Sequence, residues 1–121
     1  MVLVVTTALL LMAGLVVDGG QQVTATRRAT GVAEQAARAA TDAAAASALE
    51  GRADPSVAAA AARQVLGADP EVDGSVTVLP GLQVRVEAWS SRPTLFLSVI
   101  GIGSVRGDAS ATADLVEVAR P

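Results

Sequence analysis

The chain begins with an uninterrupted apolar run from Met1 to Val17, which ends at Asp18 and two glycines. At about 1.5 Å per helical residue the run is about 25 Å long, slightly less than the roughly 30 Å hydrocarbon core of a bilayer. No arginine precedes the run and no small-x-small site follows it closely, which disfavours a cleavable secretory signal. The pattern predicts a retained helix that either anchors the chain in a membrane or packs in an assembly.

From Gln21 onward the apolar positions recur every three or four residues, while charged residues such as Arg38 and Asp42 fall largely on the other faces. The four glycines between Met1 and Leu49 (Gly14, Gly19, Gly20 and Gly31) weaken a helix by about 1 kcal/mol each without ending it. We therefore predict one long helix from about Met1 to Leu49, with its first third in lipid and its remainder in water.

The apolar stripe of this helix consists almost wholly of alanine, which buries little area but lets other backbones approach closely. Two interpretations stay open: a helix-packing face, or an Ala-rich helix of high propensity that reflects a GC-rich genome. The candidate face comprises Ala25, Ala29, Val32, Ala33, Ala36 and Ala40.

A second helix is predicted after a break at residues 50–53. Asp54 is placed to cap it, Pro55 suits its first position, and the apolar spacing continues to Leu66 before Gly67.

Beyond residue 74 the apolar period changes from about 3.6 to 2. Alternation on both sides of a Pro80-Gly81 turn predicts an antiparallel hairpin with one face on the helix and the other in solvent. Residues 90–93 are predicted as a loop, and a last strand is predicted from about Val105 to Val118. The predicted fold class is α+β, with a long N-terminal helix, a short second helix and a small antiparallel sheet of three to four strands.

The chain thus divides into an apolar helix segment (1–17), an amphipathic Ala-rich helix that continues it (18–50), and a second helix with the sheet (51–121). Between the hairpin and the last strand lies an apolar stretch without useful alternation. It is either a buried strand or an exposed surface that contacts a partner or the membrane. Its candidate contact residues are Leu95, Phe96, Leu97, Ile100 and Ile102.

Two residues near the end of the apolar run have alternative interpretations. Asp18 either marks the lipid–water boundary, since a carboxylate at the bilayer centre costs several kcal/mol, or registers one subunit against another. Gly14 is either a tolerated small residue or a point of close helix contact. Arg27 and Arg28 lie near enough to the run to meet anionic head groups. The candidate membrane or assembly positions are Val2, Leu3, Val5, Leu9, Leu10, Met12, Ala13, Gly14, Val16 and Asp18.

Composition narrows the chemistry that 121 residues could carry out. There is no Cys and no His, which excludes disulfides, Cys/His zinc sites, thiol nucleophiles and Ser/His/Asp triads. A net charge of -3 and only two aromatic residues, one Phe and one Trp, argue against a nucleic-acid partner. No convincing carboxylate pair or calcium loop is present. We expect no catalytic, cofactor or metal site and no small-molecule substrate, but a chain that anchors, assembles or binds.

Two stretches carry a resemblance to a known family. LLLMAGLVVDGGQQVTATRRATGVAEQAARAATDAAA resembles the N-terminal module of TadE/TadG-like proteins of the Tad (Flp) pilus system, in which an apolar helix leads into an Ala-rich one. PTLFLSVIGIGSVRGDASATADLV resembles their C-terminal portion, which has an apolar segment, a Gly-rich turn and a strand ending in an A-x-A-T-A pattern. Together the two stretches cover about half of the chain, in the expected order.

The resemblance implies a type IV pilin-like protein of the bacterial cell membrane, with its C-terminal part outside the cytoplasm or in an extracellular pilus. It implies a minor subunit or assembly factor whose partners are membrane lipid and other pilin or assembly subunits, in a homo- or hetero-oligomer. Val5 stands where pilins often carry glutamate if Met1 is the mature start, which favours an accessory over a principal subunit. The alternative is a single-pass membrane-anchored extracytoplasmic binding domain of an envelope complex, outside any filament.

Overall fold

The computed structural model describes residues 1–115 of the chain. Its regular elements are α1 (Val2–Leu49), α2 (Pro55–Ala68), β1 (Val72–Leu79), β2 (Gln83–Pro93) and β3 (Ser104–Asp114), with a short 3-10 helix at Leu97–Ile100. The predicted α+β class is confirmed, with three antiparallel strands among these residues.

Helix α1 is the long N-terminal helix that the sequence predicts. Its 48 residues span about 72 Å, and it passes from the apolar run into the polar part without a break. Threonine hydroxyls in both parts donate to the carbonyl one turn earlier, as in the Thr7 Oγ1 bond to Leu3 O (2.7 Å). The apolar run and the Ala-rich helix are therefore one continuous element.

Helix α2 begins as predicted. The Ser56 backbone N–H donates to Asp54 Oδ1 at 2.9 Å, and Pro55 occupies the first turn, where its missing N–H leaves no bond unmade. The helix ends at Ala68, two residues beyond the predicted Leu66, because Gly67 can be helical and has open space around it.

The three strands form a meander in the order β1-β2-β3. The predicted turn at Pro80-Gly81 includes a third residue, Leu82, which adopts a left-handed φ of 58° next to Gly81 at 82°. Strand β1 begins at Val72, earlier than predicted.

The predicted loop at residues 90–93 was wrong, because these residues continue β2. Ser91 pairs with Arg106 and Pro93 with Ser104, so β3 supplies ladder partners that the local sequence does not reveal. Pro93 is tolerated because β1 pairs with β2 only as far as Ser90, so that Pro93 has a neighbouring strand on one side only, as in an edge strand. Strand β3 ends at Asp114, and residues 116–118 of the predicted last strand lie outside the described residues.

The core lies between α1, α2 and one face of the sheet. Val84, Val86 and Ala88 of β2 are fully buried on that face, and Ala58 and Ala62 of α2 face the same cluster. Since most of these side chains are small, the layers approach closely. Gly107 of β3 lies directly against α1, because an added Cβ there would overlap the backbone of Ala25 and Thr26.

Candidate membrane and assembly surface

The apolar segment, defined as residues 2–17 of α1, exposes nearly all of its large side chains. Val2 is 81% exposed, Leu9 61% and Val16 74%. Only 11% of the most apolar 18-residue window of α1 is buried, which distinguishes it from the core helix of a soluble protein. Within residues 1–115, α1 alone is long and apolar enough to cross a membrane. These side chains need a covering of lipid or of another protein.

Asp18 is the first charged residue of the chain, and its side chain is almost completely buried. Its carboxylate accepts three backbone hydrogen bonds from a segment almost 80 residues away. Leu95 N–H donates to Oδ1 at 2.9 Å, whereas Phe96 and Leu97 N–H donate to Oδ2 at 3.1 and 2.7 Å. Three donors match an ionised carboxylate, which has acceptor oxygens only. The side chain of Asp18 therefore binds α1 to the connection between β2 and β3.

One turn before Asp18, Gly14 supports the same attachment. Gly14 is buried, and a Cβ added there would overlap Cγ and Cδ1 of the Phe96 ring. The ring of Phe96 thus lies directly against the helix backbone, which only glycine permits. The close contact that Gly14 makes is with its own chain. We call the three hydrogen bonds to Asp18 and the contact between Phe96 and Gly14 the clamp.

The segment that the clamp holds is the apolar loop, defined as residues 94–103. It contains a 3-10 turn and no strand, so the alternative of a buried strand was wrong. Of the five candidate contact residues, Leu97 is half-buried and the other four are exposed. Val99, which the sequence analysis left out, is 85% exposed and extends the same surface. The loop therefore presents a second apolar surface beside the apolar segment.

The alanine face of α1, unlike the apolar segment, is covered by other parts of the same chain. Its members Ala25, Ala29, Ala33, Ala36 and Ala40 are at most 1% exposed and Val32 is 8% exposed. From Ala29 onward the face belongs to the core shared with the sheet and α2. The close backbone approach expected of an alanine stripe is thus used to pack the sheet on α1.

Arg28 takes part in a bridge across the fold. Its Nε and Nη2 donate to the two carboxylate oxygens of Asp69 at 3.1 and 3.2 Å, and its Nη1 lies 3.0 Å from Glu71 Oε2. The hydrogen bond from Arg28 holds the pKa of Asp69 below its ordinary value. The contacts of Arg28 with Asp69 and Glu71 join α1 to the end of α2 and the start of β1. Arg28 therefore has partners within the chain rather than lipid head groups.

Sequence reasoning missed the link between Asp18 and the apolar loop. Both were identified separately, as a lone acid after an apolar run and as an apolar stretch without alternation. One signal could have linked the two features. A carboxylate next to a segment long enough to cross a membrane needs hydrogen-bond donors, and a loop without charged residues can supply backbone N–H groups. What the sequence could not give is which loop the fold brings to Asp18.

The fold as a whole has a pilin-like shape: a long N-terminal helix, apolar at its start, that carries a small antiparallel sheet on its second half. The apolar N-terminal helix is consistent with a single-pass anchor or a signal sequence. No family model matches the chain, and the comparisons with curated proteins and with solved structures gave no match either.

Proposed function

We propose that this chain is a pilin-like minor subunit or assembly factor of a Tad/Flp-type pilus, of the TadE/TadG kind, held in a bacterial cell membrane by its N-terminal helix. The observation that supports this proposal most is the exposed apolar segment that continues without a break into the helix carrying the sheet. A free soluble protein rarely leaves such a surface uncovered. The resemblance of the two sequence stretches to TadE/TadG-like proteins supports the choice of pilus system.

The segment would act by burial rather than by chemistry. Each large apolar side chain removed from water contributes about 1.5–3 kcal/mol, whether lipid or a neighbouring helix covers it. The alanine face is already covered by the sheet and α2. Contacts with other subunits are therefore left to residues 2–17, to the apolar loop and to the outer surface of the sheet, where Arg85, Glu87 and Ser110 are exposed.

The clamp favours a second candidate, a membrane-resident binding domain of an envelope complex that never enters a filament. Phe96 covers the glycine side of the helix at Gly14, where a neighbouring helix could otherwise come close. A subunit that stays in the bilayer has no need of that side for packing.

Fractionation of the source cells tests both candidates. Filaments are sheared from the cells, and an epitope-tagged chain is followed in the filament and membrane fractions. A minor subunit appears in the sheared filaments, whereas an assembly factor stays in the membrane and its deletion abolishes piliation. A chain that is absent from filaments and whose deletion leaves piliation intact would support the binding domain instead.

A matched pair of variants tests the anchor itself. Leu9→Arg places a charge in the middle of the apolar segment, which costs several kcal/mol in a bilayer, so we expect the chain to leave the membrane fraction. Ala45→Arg adds the same charge at an exposed position far along α1 and should stay membrane-bound. Equal membrane retention of the two variants would contradict anchoring by residues 2–17.

A further inference from the structure

The apolar loop has the features of a segment that works in contact with lipid. Its side chains Leu95, Phe96, Val99, Ile100 and Ile102 are 46–85% exposed. The sequence has no charged residue between Arg92 and Arg106, which flank the loop. Arg106 donates to Asp108 Oδ1 at 2.6 Å and lies over the Trp89 ring, so the charge at the start of β3 has partners within the chain. An exposed apolar surface of this kind, in a protein with a membrane-capable helix, is typical of a site that contacts lipid or another protein.

The clamp fixes where the loop lies along α1. Its contacts are at Asp18 and at Gly14, four residues closer to the N-terminus, so the loop reaches about 6 Å along the apolar segment. Segments that lie in the membrane interface bury their apolar side chains about 5–10 Å deep. The apolar surface of the loop is therefore continuous with that of the apolar segment. The distance that the loop reaches along α1 also matches the depth to which interfacial segments bury their side chains.

The hydrogen bonding of the loop also suits a place without water. Backbone groups in lipid need internal partners, and irregular backbone is tolerated there only when its polar groups are satisfied by protein. The N–H groups of residues 95–97 donate to Asp18, and Thr94 N–H donates to Gly103 O. Within the 3-10 turn, the Val99, Gly101 and Ile102 N–H groups donate to carbonyls of residues 96–98.

The three hydrogen bonds to Asp18 also affect how much of α1 can lie in lipid. A carboxylate that is buried under its own loop and holds three donors does not expose its charge to lipid. The uncharged surface of α1 can then extend through Gly20, giving 19 residues and about 28 Å, close to the roughly 30 Å of a hydrocarbon core.

From these observations we propose that the apolar loop inserts into the outer lipid interface beside the apolar segment, so that the chain enters the bilayer with two elements instead of one. The inference rests on the proposed membrane anchoring and adds a second lipid-binding element to it. Lipid is favoured over a protein partner because the loop is clamped to the helix segment that lipid is proposed to surround, and because seven of its backbone N–H groups donate to acceptors within the chain.

Site-specific fluorescence in vesicles tests the proposal on the full chain. Because the sequence has no cysteine, Val99→Cys, Leu9→Cys and Ser110→Cys each give one labelling site for an environment-sensitive dye. The labelled proteins are reconstituted into phosphatidylcholine vesicles with nitroxides near the head group or deep in the acyl chains. Iodide in the buffer reports exposure to water. Leu9 is the control in lipid, and Ser110, exposed on β3, is the control in water.

We expect the Val99 probe to be quenched by the shallow nitroxide and shielded from iodide, while the Ser110 probe shows the reverse. Quenching of Val99 by iodide to the same extent as Ser110, with Leu9 still quenched in lipid, would overturn the inference and leave the anchor standing. A Leu9 probe that no lipid nitroxide quenches would overturn both. Shielding of the Val99 probe from both quenchers, with disulfide dimers formed on oxidation of unlabelled Val99→Cys protein, would overturn the inference in favour of a second copy.

Discussion

Replacing Ala36 with leucine decides whether the alanine face belongs to the core of the chain or to a contact between subunits. Ala36 is 0% exposed in the cluster that α1 shares with the sheet and α2. Leucine adds three carbon atoms where the sheet already lies close to the helix, and such overpacking costs about 1–3 kcal/mol. For a folded part of roughly 100 residues, each kcal/mol lowers the melting temperature by about 4–8 °C. The expected decrease is therefore about 4–24 °C.

The assay is thermal unfolding of the full chain in detergent micelles, followed by fluorescence of the single tryptophan, Trp89, in β2. Trp89 is half-buried under the Arg106 guanidinium, which lies 4.8 Å from its ring centroid, so its emission reports on the sheet. Ala45→Leu is the control, because Ala45 is exposed on the same helix and the change should shift stability by at most about 0.5 kcal/mol. If Ala36→Leu melted at the same temperature as Ala45→Leu and only assembly were lost, the face would lie between subunits and our reasoning would be refuted.

Three further predictions address the clamp, the bridge and the close approach of the sheet. Asp18→Asn should speed amide hydrogen exchange at residues 95–97, since an amide side chain cannot accept all three bonds. Arg28→Ala should lower the melting temperature at pH 7, and the difference from the unchanged protein should shrink as the pH falls below about 3.9: the depressed pKa of Asp69 contributes stability that is fully present above its ordinary value of about 3.9 and is lost as the pH falls through the depressed pKa. Gly107→Ala should cost about 1–3 kcal/mol in chemical denaturation, because the added methyl group meets backbone rather than a movable side chain.

Each of these variants has a matched control. Asp42→Asn changes an exposed carboxylate on the same helix and should leave exchange in the loop unchanged. Arg27→Ala removes the neighbouring exposed arginine and should show no pH-dependent difference. Gly103→Ala adds a methyl group to open space and should be nearly neutral. A control that behaved like its test variant would show that the contact named for that variant does not carry the effect.

How much of this fold can be predicted depends on how local its causes are. The long helix, the Asp54 cap and the hairpin follow from periodicity and from residues a few positions apart. The extension of β2 through Pro93 depends on partners in β3, and no pattern within residues 90–93 reveals it. The placement of the apolar loop likewise depends on a carboxylate almost 80 residues earlier in the chain.

The partner of the alanine face is also set by residues far away in the sequence. The spacing of that face left open whether it is a packing face or only an Ala-rich helix of high propensity, and spacing alone does not say what approaches such a face. The answer is the sheet, through Gly107 and the small side chains of β2 and β3. The apolar segment is the opposite case, because its large side chains stay exposed in the folded chain, as its lipid-sized length and composition lead one to expect.

The absence of any break in α1 between the apolar segment and the sheet has a mechanical consequence. A domain joined to its anchor by a flexible linker turns freely, but here the sheet is mounted on the same rod of about 72 Å that enters the proposed membrane. A tilt of that rod by about 10° would sweep its far end sideways by about 12 Å, and the proposed insertion of the apolar loop would add a second point at which the bilayer resists such a tilt. If α1 is anchored as proposed, the orientation of the sheet is set by the tilt of the helix, and a force that pulls on the sheet acts directly on the apolar segment.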